Sequence, residues 1–299
     1  MPELPDVESL RRHLVKQGLI GRTITGATVF RPATIKAPEA GMFARALSGR
    51  RIMGSDRRGK YLLFALDGPI LIVHLRMTGK LEIVPGAATP DPRTRVAFAL
   101  DSGQELRFLD WRSLGKVWLV DDAETVVGKL GPEPLGPAFT VDYVRRALDR
   151  PRAMKPLLLD QTIFAGVGNL YADEILWRTK IHPLRLAREL SVREVHGVHD
   201  WTRELLGTAT DILERSLDED GEFLAENGRG ARKRGSSDLA REVFLVDRDK
   251  GALCARCGTA LTVARVGGRG THFCPHCQTL DTPKRFPVSR KPKELVVVT

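Results

Sequence analysis

Cys254-Ala255-Arg256-Cys257 and, after 16 intervening residues, Cys274-Pro275-His276-Cys277 hold all four cysteines of the chain. Each CxxC pair makes a tight knuckle presenting two sulfurs to one point, so two pairs at this spacing predict a tetrahedral thiolate zinc site on a β-hairpin. Two structural disulfides are the other chemistry open to these residues, and they need an oxidising compartment. The chain opens Met1-Pro2-Glu3-Leu4-Pro5-Asp6-Val7-Glu8, which is acidic and proline-rich and lacks the basic and apolar regions of a secretory leader. A cytoplasmic protein is therefore expected, with one structural zinc ion held by Cys254, Cys257, Cys274 and Cys277. His272 and His276 lie close enough in sequence to ligate, but four thiolates already fill such a site.

Working back from the cysteines, the 299 residues exceed one typical domain. Val7, Leu10, Leu14 and Val15 recur at helical spacing after a Pro5-Asp6 start signal, predicting a helix from Asp6 to about Gly18. Residues 22 to 120 read as β. Short apolar or alternating runs at 23–30, 61–66, 70–75, 80–84, 96–100, 105–109 and 116–119 are separated by turns such as Asp67-Gly68-Pro69, which predicts a sandwich or barrel. After the linker Gly131-Pro132-Glu133-Pro134-Leu135-Gly136-Pro137 the periodicity turns helical. Thr140 can cap a helix to about Leu148, Pro156 suits a first turn, residues 170–177 form another helix, and Ser191-Val192-Arg193-Glu194 is a capping box opening a long helix towards Leu217.

The expected architecture is α+β and multidomain: a β-sandwich with an N-terminal helix over 1–130, a helical domain with a loop over 131–240, the cysteine hairpin over 241–285, and a basic tail over 286–299. Residues 218–240, with Arg232-Lys233-Arg234, read as an exposed loop. At 42% hydrophobic and 28% charged residues the composition is that of an ordinary globular chain, and no apolar run approaches membrane-spanning length. Lys and Arg number 47 against 37 Asp and Glu, a formal net charge of +10. That excess points to a polyanionic partner, nucleic acid above all; His272 and His276, left over by a site that four thiolates fill, are read as surface or DNA-facing residues.

Pro2 is the sharpest chemical feature. A small second residue lets Met1 be removed, leaving a free secondary amine that titrates near ~8 and so is partly neutral at pH 7. Such an amine attacking a sugar C1′ gives a cationic iminium, an electron sink that eases β-elimination of the 3′ phosphate. Glu3 beside it could shuttle protons; a plain helix lead-in is the other reading of Pro2-Glu3.

Three stretches together, the N-terminal octapeptide, Gly166-Val167-Gly168-Asn169-Leu170-Tyr171-Ala172-Asp173-Glu174 and the four-cysteine hairpin, closely resemble the formamidopyrimidine-DNA glycosylase and endonuclease VIII family. The match spans the chain, and Leu4-Pro5 after Glu3 is similar to the formamidopyrimidine branch. The resemblance implies a two-layered β-sandwich, a helix-two-turn-helix domain and a zinc finger, with double-stranded DNA containing oxidised bases or abasic sites as partner. It implies Pro2 as Schiff-base nucleophile and Glu3 as acid/base carboxylate. Lys60 matches the strand lysine that contacts phosphate and aids elimination; a solvated strand-edge lysine is the alternative. His74 and Met77 match a phosphate contact and the wedge filling the gap left by the flipped base, Met77 being core packing otherwise. Arg112 matches the arginine that pairs with the orphaned base, Asn169 a phosphate ligand at a helix start, and Arg269 the hairpin arginine that reaches the lesion phosphates.

The chain departs from the family pattern in three places. Leu114 stands where phenylalanine is usual, and leucine stacks less well. Arg93 and Arg95 replace a His-x-His pattern and are read as DNA contacts or a solvated face. Residues 218–249 lack the Gly-Gly-Thr-Thr-like run that usually opens the lesion-recognition loop. The expected activity is bifunctional: excision of oxidised purines through Pro2, then β- and δ-elimination, by a monomer. Excision of oxidised pyrimidines, a catalytically silent lesion binder, and an unrelated zinc-ribbon protein are the competing readings, the last leaving the N-terminus unexplained.

Overall fold

The structure, a computed structural model, describes residues 2–89, 91–215 and 243–280. Met1, the run Arg232-Lys233-Arg234 with most of the expected recognition loop, and the basic tail lie outside the described residues. The chain divides into two compact units. One takes the residues up to Leu130 and the last turns of the long helix from Thr210; the other takes Gly131 to Ala209 and the described C-terminal stretch.

In the first unit α1 (Leu4–Lys16) begins two residues before Asp6, the start expected from the sequence. Pro5 occupies its first turn, where a missing N–H costs no hydrogen bond, and the Glu3 N–H donates to the Asp6 carboxylate at 2.7 Å. Val7, Leu10 and Leu14 share one buried face, each such side chain stabilising the fold by about 1.5–3 kcal/mol. The strands β1 (Thr23–Val29), β2 (Ile35–Ala37), β3 (Arg50–Arg58), β4 (Tyr61–Leu66), β5 (Ile70–His74), β6 (Gly79–Pro85), β7 (Thr94–Leu100), β8 (Gln104–Asp110) and β9 (Lys116–Val120) are hydrogen-bonded in the order β2-β9-β5-β4-β3-β1-β7-β8-β6. The seam is β1–β3, with two register pairs, Thr23↔Arg51 and Ile24↔Arg50. On either side of it the two halves give side chains to one core: Phe64, Val73 and Val117 from one, Val96, Phe98 and Phe108 from the other. This is the two-layered sandwich. The short helix α2 (Ala40–Leu47) closes the core with Phe43 and Leu47, and α3 (Glu124–Val127) follows β9.

Strand β3 is not legible in the sequence. Arg50-Arg51-Ile52-Met53-Gly54-Ser55-Asp56-Arg57-Arg58 shows neither alternation nor an apolar run, because Ile52 is its one fully buried side chain. Pairing with β4 over six positions holds it instead.

The second unit contains α4 (Val141–Leu148), α5 (Met154–Leu158), α6 (Asn169–Thr179) and most of α7 (Val192–Arg215). Thr140 caps α4 by accepting the Tyr143 N–H at 3.1 Å. At α7 the Ser191 N–H donates to Glu194 at 2.8 Å and the Glu194 N–H donates to Ser191 Oγ at 3.3 Å, the reciprocal box read from the sequence. β10 (Thr262–Val266) and β11 (Arg269–Phe273) form an antiparallel hairpin. Its two-residue turn, Gly267-Gly268, has φ of +58° and +77°, the left-handed conformation such hairpins require. A Cβ on Gly267 would lie 2.9 Å from Pro156 Cγ, so the hairpin tip packs on α5 and glycine is needed for space as well as conformation.

Candidate nucleic-acid interface and metal centre

Two turns of the first unit carry Met77 and Arg112, and one carboxylate fastens both. Asp110, at the end of β8, is fully buried. Its Oδ1 accepts the Thr78 hydroxyl and, at 3.2 Å, the Arg112 N–H; its Oδ2 accepts the Gly115 N–H at 2.6 Å. Thr78 Oγ1 also accepts the Arg112 N–H at 3.1 Å, tying the turns to each other. Gly115 cannot carry a side chain, since a Cβ there would lie 2.3 Å from the Phe108 ring. Met77 is 41% exposed, which removes core packing as its role, and Arg112 Nη1 lies 3.1 Å from Met77 Sδ. Leu114 and Trp111 are exposed on the same turn, Trp111 at 67%. Asp110, Thr78 and Trp111 are absent from the sequence-derived set. An aspartate closing a strand before a Gly-terminated turn is the signal that could have found Asp110.

Lys60 is not a strand residue. It sits in the turn between β3 and β4, after Gly59 at φ +56°, and is 7% exposed rather than solvated. That turn is held from below: Glu8 of α1 accepts Arg57 Nε at 3.1 Å, and Arg57 Nη1 donates to the Gly59 carbonyl at 3.0 Å. Burial, with Arg76 and Lys60 nearby, pushes the His74 imidazole down to about 3, so it is neutral. The Arg76 N–H donates to His74 Nδ1 at 3.0 Å, leaving Nε2 to carry the hydrogen as a neutral donor. Around it gather further cations. Lys116 faces His74 across the β5–β9 ladder, reaches the Ala33 carbonyl at 3.0 Å, and is held below the ordinary lysine range by burial, then by Lys36, Arg76 and Arg31. None of these four cations has a salt-bridge partner among the described residues, a charge distribution suited to a polyanion.

Pro2 is half-buried ahead of α1 and Glu3 is 1% exposed at its N-terminus. Arg93 and Arg95 are both spoken for: Arg93 Nε pairs with Asp91 at 2.9 Å, and Arg95 donates to the backbone carbonyls of Asp110 and Pro92 at 2.9 and 3.0 Å. Arg95 thus braces the β8 end, which its solvated-face alternative did not anticipate.

In the second unit Asn169 opens α6. Its Nδ2 donates to the Gly270 carbonyl at 2.9 Å, joining the helix N-terminus to the strand that starts with exposed Arg269. Behind them Asp173 is fully buried and accepts Lys155, Arg248 and the His272 N–H. His272, partly buried beside Arg248 at 3.3 Å, is therefore not a free surface residue.

The four cysteine sulfurs lie within 4.8 Å of one another. Sulfurs about 2.3 Å from a tetrahedral zinc would be separated by about 3.8 Å, so the set fits. Thr259 holds the exposed Cys257 thiol down to about 5, whereas burial pushes Cys274 up to about 12. At this separation all four cysteines can be thiolates together only with a cation among them. These cysteines hold one structural zinc, whose chemistry is to fix the hairpin.

Family models match along the chain: the formamidopyrimidine-DNA glycosylase N-terminal domain over residues 1–117, the formamidopyrimidine-DNA glycosylase H2TH domain over 130–220, and the zinc finger found in FPG and IleRS over 251–280. The formamidopyrimidine-DNA glycosylase of Pelotomaculum thermopropionicum is 40% identical over 288 residues, covering 93% of this chain and 99% of that protein. Two solved structures of the Lactococcus lactis Fpg, one with DNA containing N7-benzyl-Fapy-dG and one with DNA containing an oxidised pyrimidine, each give a TM-score of 0.81 at 33% identity, covering 93% of this chain and 100% of theirs. With matches through all three parts and a relative this similar across nearly its whole length, the chain belongs to the formamidopyrimidine-DNA glycosylase family.

Proposed function

We propose that this protein is a DNA glycosylase of base excision repair that removes oxidised purines, 8-oxoguanine and formamidopyrimidine, and then cleaves the strand. The observation that carries the reading is family membership over 93% of the chain together with Pro2 followed directly by a buried glutamate. Pro2, once Met1 is removed, attacks C1′ with its secondary amine as the base leaves with a proton; the C1′–O4′ bond then breaks, O4′ taking a proton, and the sugar opens to the iminium. The iminium acidifies C2′; loss of that proton expels the 3′ phosphate, and a second elimination expels the 5′ phosphate. Glu3 is the proposed proton carrier. Lys60, neutral His74, Asn169 and Arg269 are proposed phosphate ligands, Arg112 the reader of the opposite base, Met77 and Leu114 the wedge.

In this reading residues 1–130 perform the chemistry, 131–240 bind DNA and hold the lesion loop, 241–285 form the finger, and 286–299 are a basic tail. A monomer in the cytoplasm, associated with the nucleoid, fits a basic repair enzyme; no helix among the described residues is long and apolar enough to cross a membrane. Excision of oxidised pyrimidines is the second reading, since the similar Lactococcus enzyme has been crystallised on such DNA.

Borohydride trapping tests the proposal. A duplex with 8-oxoguanine should yield a covalent adduct that mass spectrometry maps to Pro2 of a chain lacking Met1. Absence of an adduct makes the protein a binder, an adduct on Lys60 reassigns the nucleophile, and faster excision of thymine glycol than of 8-oxoguanine favours the second reading.

A further inference from the structure

Trp177 of α6 lies against the cysteine cluster. Its indole Nε1 is 3.3 Å from Cys254 Sγ, and both residues are buried, at 5% and 2% exposure. An indole N–H can donate but not accept, so the sulfur is the acceptor. A guanidinium over the ring helps to hold it in this attitude. The guanidinium of Arg256, inside the same Cys254–Cys257 knuckle, sits 4.0 Å from the ring centroid, and its Nη2 donates to the Trp177 carbonyl at 3.0 Å. Val246 and Cys274 pack with it in one apolar cluster. The knuckle and the helix are thus joined through one ring, with its single polar atom aimed at a metal ligand.

We propose that Trp177 belongs to the zinc site, donating its N–H to the zinc-bound thiolate of Cys254 and so slowing loss of the metal. Zinc with four thiolates carries a formal charge of −2, and the electron density on sulfur makes a ligand prone to protonation and displacement. A hydrogen bond to an ionised acceptor is of the stronger kind, and here it forms where water is excluded. It draws density from the sulfur without competing for the metal and fixes the Cys254 rotamer. Partners of this type contribute about 10- to 100-fold in metal affinity when removed from other sites. Packing alone does not account for the arrangement, because a phenylalanine would fill the ring position without a donor. The inference is independent of the glycosylase reading, since zinc retention is measured without DNA.

The test is zinc transfer from the full-length, zinc-loaded protein to an excess of a chromogenic chelator. Trp177→Phe should release zinc about 10-fold faster or more, with an unchanged far-ultraviolet spectrum. Trp201→Phe, altering a ring that Arg178 of α6 faces at 4.9 Å, should release it at the wild-type rate. Release from Trp177→Phe at the wild-type rate overturns the proposal. Should that variant not fold, the wild-type protein gives a second reading. Of its four tryptophans, the indole N–H resonance left unassigned by phenylalanine variants at positions 111, 118 and 201 should shift when cadmium replaces zinc. An indole signal indifferent to the metal overturns the idea equally.

Discussion

The two units secure their exposed cationic groups by different chemistry. In the first, Arg112 and Met77 hang on hydrogen bonds to one buried carboxylate, Asp110, braced by an apolar core of both sheet halves. In the second, Arg269 stands on a hairpin whose root is four sulfurs and whose flank is the buried Asp173–Lys155–Arg248 cluster. A sandwich large enough to bury Phe64, Phe98 and Phe108 needs no metal; a five-residue strand pair does. The first fastening is therefore indifferent to chelators and thiol chemistry, and the second is exposed to both.

Removing zinc would produce the largest effect. Metal binding supplies on the order of 10 kcal/mol in isolated finger peptides, so a stripped hairpin should unravel and DNA affinity should fall by about 100-fold or more, while the first unit keeps its own unfolding transition. Calorimetry with and without chelator, beside DNA titrations, checks this. Loss of both transitions, or unchanged affinity, would break the comparison.

Asp110→Ala is the corresponding lesion in the first unit. The Thr78 hydroxyl and the Gly115 N–H lose their acceptor, while the Arg112 N–H keeps Thr78 Oγ1, and at about 1–3 kcal/mol per buried orphan, partly relieved by water, the cost should be about 3 kcal/mol. Urea unfolding measures it, and excision opposite each of the four bases should lose its discrimination while zinc content stays constant. A variant that destabilises but still discriminates would show that Arg112 is positioned by something other than this carboxylate.

Glu174 sharpens the contrast through pH. Buried on α6 and accepting the Val246 N–H at 2.8 Å, it is pushed up to about 7 by desolvation. Between its ordinary 4.5 and 7 the folded unit holds a proton that the unfolded chain has released, so stability falls as pH rises through that window, by on the order of 3 kcal/mol, and is level above it. Chemical unfolding at pH 5 and pH 7.5 should show the loss, and Glu174→Gln should flatten it. A slope that persists in the variant would assign it to another group.

The smallest effect concerns Arg31, Lys36, Arg76 and Lys116. If they meet DNA phosphates, Lys116→Ala should lower the slope of log affinity against log salt by about 1 without changing opposite-base preference. An unchanged slope removes Lys116 from the interface.

How much was legible follows from the same contrast. The cysteines, the α7 capping box and the Thr140 cap are local signals, and each is present in the structure. Alternation exposed the strands with one wet face, but not β3, whose arginines are satisfied by Glu8 and by the carbonyls of Gly21, Asp67 and Leu130, far along the chain. Lys60 was read as a strand lysine, with a solvated strand edge as the alternative, because Gly59-Lys60 gives no sign of a buried turn. Asp110 and Thr78 are 32 residues apart, and their meeting depends on the pairing of β6 with β8, which composition cannot supply.

The ends of the nine-stranded sheet bear on how the protein behaves in a crowd of its own copies. An open sheet edge offers unpaired backbone groups to any passing strand, and long flat edges seed aggregates. Here one edge is β2, three residues long, with exposed Lys36 at its centre and Pro38 directly after it. The other is β6, which ends in Pro85 and carries the Lys80–Glu82 ion pair at 2.9 Å. Neither presents an uninterrupted apolar strand, so the sheet can stay open without inviting a neighbour to extend it.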